Sequence, residues 1–340
     1  TVQAILLCIG AGAIFWFGID AVGGWGAMME RLSEDQTGLI KSTGDDFLPW
    51  PGILGVVLLG FYYWTLNQFV VQRTLGARDL DQGRKGALFA GLLKIPNLFL
   101  MILPGVFAIL LFPGLDNPDM VFPTLAAELL PVGFRGLILT ALIAAIMSSL
   151  DSALNAASTL VSVDFVKEAR PEIDDDTLVR FGRGFTAIAM VVGAVYAPMI
   201  RSFENLFEYF QSVLAYVTPP IVAVFVIGIF WKRANRHGAF WTIVSGLAVG
   251  VPLFLSKEIF GTWAALGLPE PHYTYMAVLM FAFGTAMLVT VSLATEAPDY
   301  EEIAQYTFTQ EIFEQDLQDV GLPWYQDFRY QSAALTAVML

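Results

Sequence analysis

Apolar runs long enough to cross a bilayer recur near residues 2–25, 50–71, 87–113, 135–163, 184–200, 206–231, 239–261 and 273–295, and another starts at 330. A helix needs about 20 apolar residues to span the hydrocarbon. The pattern therefore predicts eight membrane helices and part of a ninth, joined mostly by short loops. Several should be interrupted. Pro96 and Pro104 fall in the third run, Pro198 near the end of the fifth, and Pro219 and Pro220 midway through the sixth. Gly60 interrupts the second, beside Tyr62, Tyr63 and Trp64. Discontinuous helices in a many-span chain are the usual sign of a secondary transporter with a site at mid-membrane, although channels and membrane enzymes also kink at proline.

The fourth run carries the strongest polar signal. Its segment ALIAAIMSSLDSALNAAST (141–159) is apolar enough for a bilayer yet holds Ser148, Ser149, Asp151, Ser152, Asn155, Ser158 and Thr159. Intramembrane polar residues mark a pathway or an ion site more often than they serve stability. At 100° per residue, Ala141, Ala145, Ser148, Ser149, Ser152 and Ala156 fall in one arc of about 100°. Ser148 and Ser149 lie three and four residues after Ala145, so their hydroxyls flank its carbonyl. Three neutral oxygens at one place suit a hard cation. The competing reading is a small-residue packing face whose hydroxyls bond back to helix carbonyls.

Six further residues stand out. Tyr63 and Trp64 lie at mid-depth rather than in an interfacial belt, where a stacked aromatic pair suits the apolar face of a sugar ring or a gate over it. Plain helix packing is the alternative. Lys94 lies about 10–12 Å inside its span, where a centred lysine costs roughly 2.5–3.5 kcal/mol, and Pro96 and Asn97 follow at once. That helix should face protein or a wet cavity there. Gln211 offers an amide with two donors and an acceptor, suited to vicinal hydroxyls, with Phe207 four residues earlier on the same face; an inter-helix hydrogen bond is the alternative. Asp151, at the edge of the hydroxyl strip, either strengthens cation binding or sits protonated or paired.

Composition agrees with a polytopic membrane protein. The 340 residues are 56% hydrophobic and only 14% charged, against about 25% charged in soluble domains. A net charge of −13 gives no reason to expect nucleic-acid binding. The loops 72–86, 164–183 and 232–238 hold eleven Lys and Arg against five in the alternate loops, which places the first set in the cytoplasm. By alternation the acidic segment 296–328 is cytoplasmic too. Cys8 is the single cysteine, so no intrachain disulfide forms. No Asn-x-Ser/Thr sequon occurs, which favours a bacterial source and a cell inner membrane. GxSxG, P-loop and HExxH motifs are absent, and His237 and His272 stand far apart in loops, so an enzyme is not expected. The chain starts at Thr1 inside an apolar run and stops eleven residues after Arg329, as a fragment of a longer carrier would.

The segments YYWTLNQFVVQRTLGAR (62–78), ALIAAIMSSLDSALNAASTLVSVDF (141–165) and LFEYFQSVLAYVTPPIVAVFVIGIFWKRANRHGAFW (206–241) resemble the sodium:solute symporter family, closest to its sodium/glucose (galactose) cotransporter branch. The resemblance implies an all-α, leucine-transporter-like fold of two inverted five-helix repeats plus flanking helices. Residues 1–25 would end the first repeat, most of which is absent, and 50–231 would form the complete second repeat. Peripheral helices would occupy 239–295, an acidic linker 296–328, and a truncated last helix 329–340.

By the same resemblance, Ala145, Ser148 and Ser149 look like the eighth-helix half of a sodium site. Tyr63 looks like an inner gate with Trp64 beside it, Lys94 and Gln211 like sugar hydroxyl partners, and Phe207 like part of an outer lid. The implied function is sodium-coupled import of a monosaccharide such as glucose or galactose, with sodium as coupling ion and no other cofactor. The expected partners are the solute, sodium and the bilayer, with no obligate protein partner evident. Two departures bear on this: Gly60 stands where sugar carriers have a side-chain hydrogen-bond partner. Asp151 replaces their Thr or Ala, which with Ser152 points to a second cation site or another solute. Myo-inositol, an amino acid, a carboxylate or sialic acid are alternatives, as are a non-transporting solute sensor and a channel.

Overall fold

The computed structural model describes residues 2–33, 36, 38, 41–45, 48–115, 117–202, 205–304, 306–309 and 323–339. Residue 305 and residues 310–322 of the acidic segment 296–328 lie outside them. Among the described residues the regular structure is helical, apart from one isolated bridge between Lys41 and Pro49. The principal helices are α1 (Val2–Ala21), α2 (Gly24–Arg31), α3 (Ile53–Phe61), α4 (Gln68–Leu75), α5 (Leu80–Leu92), α6 (Leu103–Leu111), α7 (Val121–Leu129), α8 (Val132–Thr159), α9 (Asp175–Tyr196), α10 (Leu206–Val217), α11 (Pro219–Phe230), α12 (Arg236–Phe254), α13 (Tyr273–Ala294) and α14 (Phe328–Met339). Wide π-turns extend or join several of them, at Tyr62–Leu66, Leu98–Ile102, Leu160–Lys167 and Leu255–Ile259. Six continuous helical stretches are long and apolar enough to span a membrane, and two bent pairs bring the number to eight.

The interruptions follow local chemistry. Leu206–Val217 and Pro219–Phe230 meet at 51°, as the Pro219–Pro220 pair predicts. Pro219 has no N–H to donate, and Thr218 turns its hydroxyl back onto the Leu214 carbonyl at 2.9 Å. In the second span the 45° bend falls after the Tyr62–Leu66 turn, not at Gly60. Asn67 is the extended residue there, and its Oδ1 accepts the Phe69 N–H at 3.2 Å, starting the next helix. Gly60 itself stays helical. Around Pro96 the third span tightens and then widens without a sharp break, so Leu80–Leu111 remains one span.

The fourth and fifth spans reach further into the basic segment 164–183 than apolarity alone suggests. A π-turn carries α8 on to Lys167, and α9 begins at Asp175. Asp174 caps α9 by accepting the Thr177 N–H at 2.9 Å, and Asp175 and Asp176 in the first turn complement the helix dipole. Arg180 and Arg183 therefore stand on a helix rather than in a loop.

The chain forms two compact units, each discontinuous in sequence: residues 1–37, 72–206 and 331–340 in one, 38–71 and 207–330 in the other. In the first unit α1 packs along α8. The core there gathers Ile14, Met28, Phe107, Leu125, Leu130 and Ile138. Gly18 permits this, since a Cβ there would lie 2.4 Å from Phe107 Cδ2. In the second unit α13 packs against α11, α12 and α3. Small residues again allow backbones to approach, as is usual between membrane helices. A Cβ at Gly250 would lie 2.0 Å from the Tyr216 carbonyl oxygen, and one at Gly55 would lie 2.1 Å from that of Thr274.

Candidate functional site

The hydroxyl strip lies on an unbroken part of α8, within the first unit. Ala145 and Ser148 are half-buried, and Ser149 is exposed. Hydroxyls elsewhere on these helices fold back: Thr140 onto the Gly136 carbonyl at 2.8 Å, Ser152 onto that of Ser148 at 2.8 Å, and Thr186 onto that of Gly182 at 3.0 Å. Ser148 and Ser149 do not. Among the described residues neither side chain has a hydrogen-bond partner. Both hydroxyls are therefore free, and helical spacing sets them on the turn after the Ala145 carbonyl, which keeps a spare lone pair. Such a group can coordinate a monovalent cation through neutral oxygens. No cluster of three or more His, Cys, Asp or Glu able to hold a metal occurs among the described residues.

Ser152 is differently engaged. Its Oγ donates to the Ser148 carbonyl and accepts from Arg73 Nη2 at 2.7 Å. The second-cation pair Asp151 and Ser152 is thus divided: Ser152 already faces a guanidinium, and Asp151 is exposed. Arg73 was not legible as a member of this group. It sits 79 residues before Ser152 in a segment that reads as a basic loop, and no local spacing links the two.

Lys94 belongs to the same unit, half-buried where α5 gives way to the short helix at Pro96. Its N–H bonds to the Gly91 carbonyl at 2.9 Å, a tightened turn that fits the expected irregularity.

The aromatic residues and the glutamine lie in the second unit. Tyr63 and Trp64 sit inside the π-turn that follows α3. They meet edge to face, with centroids 4.9 Å apart and planes at 77°, so the expected stacking is replaced by a T-shaped contact. Tyr63 also meets Phe69 at 6.4 Å and Phe210 at 6.5 Å, both edge-on. Phe210 is the member that sequence reasoning passed over. Its position three residues after Phe207, on the face that also bears Gln211, was the available signal. Phe207 and Phe210 are exposed and Gln211 is half-buried. The unit therefore brings Tyr63 and Trp64 to the helix carrying Phe207 and Gln211.

The profile of the sodium:solute symporter family matches residues 1–246. The chain belongs to this family. Similar curated proteins include the sodium/myo-inositol cotransporter 2 of Oryctolagus cuniculus, 32% identical over 90% of this chain and 52% of the relative. The human protein of that name matches equally, at 32% over 90% and 52%. Sodium/glucose cotransporter 4 of Danio rerio is 28% identical over 95% of this chain and 56% of its own length. The chain thus spans about half the length of these relatives. All three are vertebrate proteins, which gives the expected bacterial source no support. Among solved structures, the substrate-bound outward-open state of a Na+-coupled sialic acid symporter matches with a TM-score of 0.66 at 21% identity, over 88% of this chain and 62% of that one. That likeness shows the fold: this symporter-family chain is a multi-pass membrane protein with leucine-transporter-like architecture.

Proposed function

We propose that the protein carrying this chain is a sodium-coupled symporter importing a monosaccharide such as glucose or galactose by alternating access. The observation that carries the reading is the pair of unpartnered hydroxyls on Ser148 and Ser149, beside the Ala145 carbonyl, on a helix whose neighbouring hydroxyls fold back. Sodium bound there favours the outward-facing state and organises the solute pocket. Its release into the sodium-poor cytoplasm then frees Tyr63 to move and the solute to leave. Gln211 and Lys94 supply hydrogen bonds to solute hydroxyls, Trp64 flanks the gate, and Phe207 closes over the outer side. Asp151 and Ser152 would take a second cation only with Arg73 withdrawn, because its guanidinium now donates to Ser152 Oγ and supplies the positive charge there itself.

A second reading, import of myo-inositol, draws on the relatives at 32% identity that bear that name. Both solutes are six-membered rings edged with hydroxyls, and the same amide and lysine serve either. The deciding experiment is sodium-driven uptake by the full-length protein in proteoliposomes, with labelled glucose, galactose and myo-inositol in competition. Saturable uptake that ignores the sodium gradient overturns sodium coupling. Preference for an amino acid, a carboxylate or sialic acid overturns the cyclic polyol. Solute binding without accumulation leaves a sensor.

A further inference from the structure

Away from the strip, the first unit holds a cleft of about 450 Å³ between the end of α8 with its π-turn and the start of α9. Asn155, Ser158, Thr159, Ser162, Arg183 and Thr186 supply its polar lining. Ser162 is the anomaly: it is only 6% exposed, and its Oγ has no hydrogen-bond partner. Buried hydroxyls are nearly always paired. The carbonyl of Gly182, the residue packed against Ser162, is already taken by Ser158 Oγ and Thr186 Oγ1, both at 3.0 Å. The absence of a side chain at Gly182 opens the space, for a Cβ there would lie 3.1 Å from Ser162 Oγ and 2.8 Å from Ser158 Oγ.

The remaining polar groups have one character. Ser162 and Thr159 offer free hydroxyls, Asn155 an amide, and Arg183 a guanidinium with no recorded partner among the described residues. No carboxylate lines the cleft; Asp164 and Glu168 line a separate one further along the turn. Donors around a fixed positive charge select an anion with several acceptor oxygens.

Depth narrows the source. The helix from Val132 runs on to Lys167 over 36 residues, and about 20 suffice to cross the hydrocarbon. Its last third, from Ala156 and so including Thr159 and Ser162, therefore lies toward the cytoplasmic end of the span, close to the headgroups, as do the first turns of α9. The lysine and arginine bias makes that layer the cytoplasmic one, where anionic lipids concentrate. Leu178, Val179 and Val163 give the cleft an apolar flank, and Val179 and Val163 are exposed.

We propose that this cleft seats a phosphate group, borne by the headgroup of an anionic phospholipid of the inner leaflet. The phosphate oxygens accept from Arg183, Ser162, Thr159 and Asn155, and the glycerol end lies along the apolar flank.

The test uses the full-length protein in detergent, with thermal unfolding followed during titration of dioleoylphosphatidylglycerol, dioleoylphosphatidylcholine or inorganic phosphate. Phosphatidylglycerol should raise the Tm saturably. Arg183→Gln should raise its half-saturating concentration at least about tenfold, and Ser162→Ala about threefold. Without lipid, Ser162→Ala should melt no lower than the parent, because it removes a buried hydroxyl that has no internal partner. An unchanged titration in Ser162→Ala, or a lowered lipid-free Tm, overturns the proposal even if Arg183→Gln fails to fold. Equal stabilisation by inorganic phosphate assigns the site to a soluble ion and overturns the lipid source. Equal stabilisation by phosphatidylcholine overturns the requirement for an anionic headgroup.

Discussion

Arg73 Nη2 donates to Ser152 Oγ at 2.7 Å, while that hydroxyl donates to the Ser148 carbonyl at 2.8 Å. A fixed guanidinium therefore stands two short bonds from the backbone of the candidate sodium strip. Like charges repel across such a distance even when partly screened. Arg73→Gln should keep a donor to Ser152 while removing the charge. The expected result is a half-saturating sodium concentration lowered about threefold, with Arg73→Lys close to the parent. Sodium-dependent uptake by both variants, with expression and Tm matched, checks it.

Ser149 and Gln211 should separate ion from solute. Ser149→Ala removes one of three oxygens from the strip and should raise half-saturating sodium about tenfold. Its solute affinity at saturating sodium should change little. Gln211→Ala should reverse the pattern, weakening solute several-fold and leaving the sodium titration near the parent. Paired titrations of both ligands give the answer, and parallel shifts in both variants would deny the division of roles.

Close packing in the second unit makes a stability prediction. A methyl group at Gly250 would meet the Tyr216 carbonyl oxygen at 2.0 Å, whereas one at Gly228 meets nothing within 4 Å. Gly250→Ala should destabilise by about 1–3 kcal/mol and lower the Tm by several degrees. Gly228→Ala should be neutral or slightly stabilising, since alanine is the better helix former. Thermal unfolding of the two variants side by side tests the contrast.

Acid should loosen the start of α9. Hydrogen bonds from the Thr177 side chain and N–H hold the Asp174 carboxyl below its ordinary value. A depressed folded value means the cap contributes fully above the ordinary carboxylate pKa of about 3.9. The contribution is lost as pH falls through the lower folded value. Hydrogen exchange at Thr177 and the next few amides should therefore rise in that acid range. Asp174→Asn, which still caps but does not titrate, should remove the added exchange.

Much of the architecture was legible because it rests on local signals. Apolar length gave the spans, and Pro219 with Pro220 gave the sixth-span break, since a missing donor acts on its own turn. Asn67 was not read as the second-span break because its effect comes from a side chain starting the next helix, and Gly60 looked the weaker point. Asp174 was missed for a similar reason: a cap extends α9 into residues whose polarity reads as loop. The strip on α8 emerged from period alone, whereas Arg73 reaches Ser152 over 79 residues of chain. Ser162 reads as one more member of an apolar run, and only the packing of Gly182 against it exposes its unanswered hydroxyl.

The π-turn at Tyr62–Leu66 closes with the Asn67 N–H on the Tyr62 carbonyl at 2.9 Å, one residue wider than an ordinary helical turn. One surplus residue gives the backbone slack that a regular helix lacks. Passing that surplus along by a single position would swivel Tyr63 about the axis by roughly one residue's rotation, about 100°, while most of the ladder survived. The gate proposed at Tyr63, mounted this way, would clear its place by turning on the spot, with neither a swinging arm nor an unravelled segment.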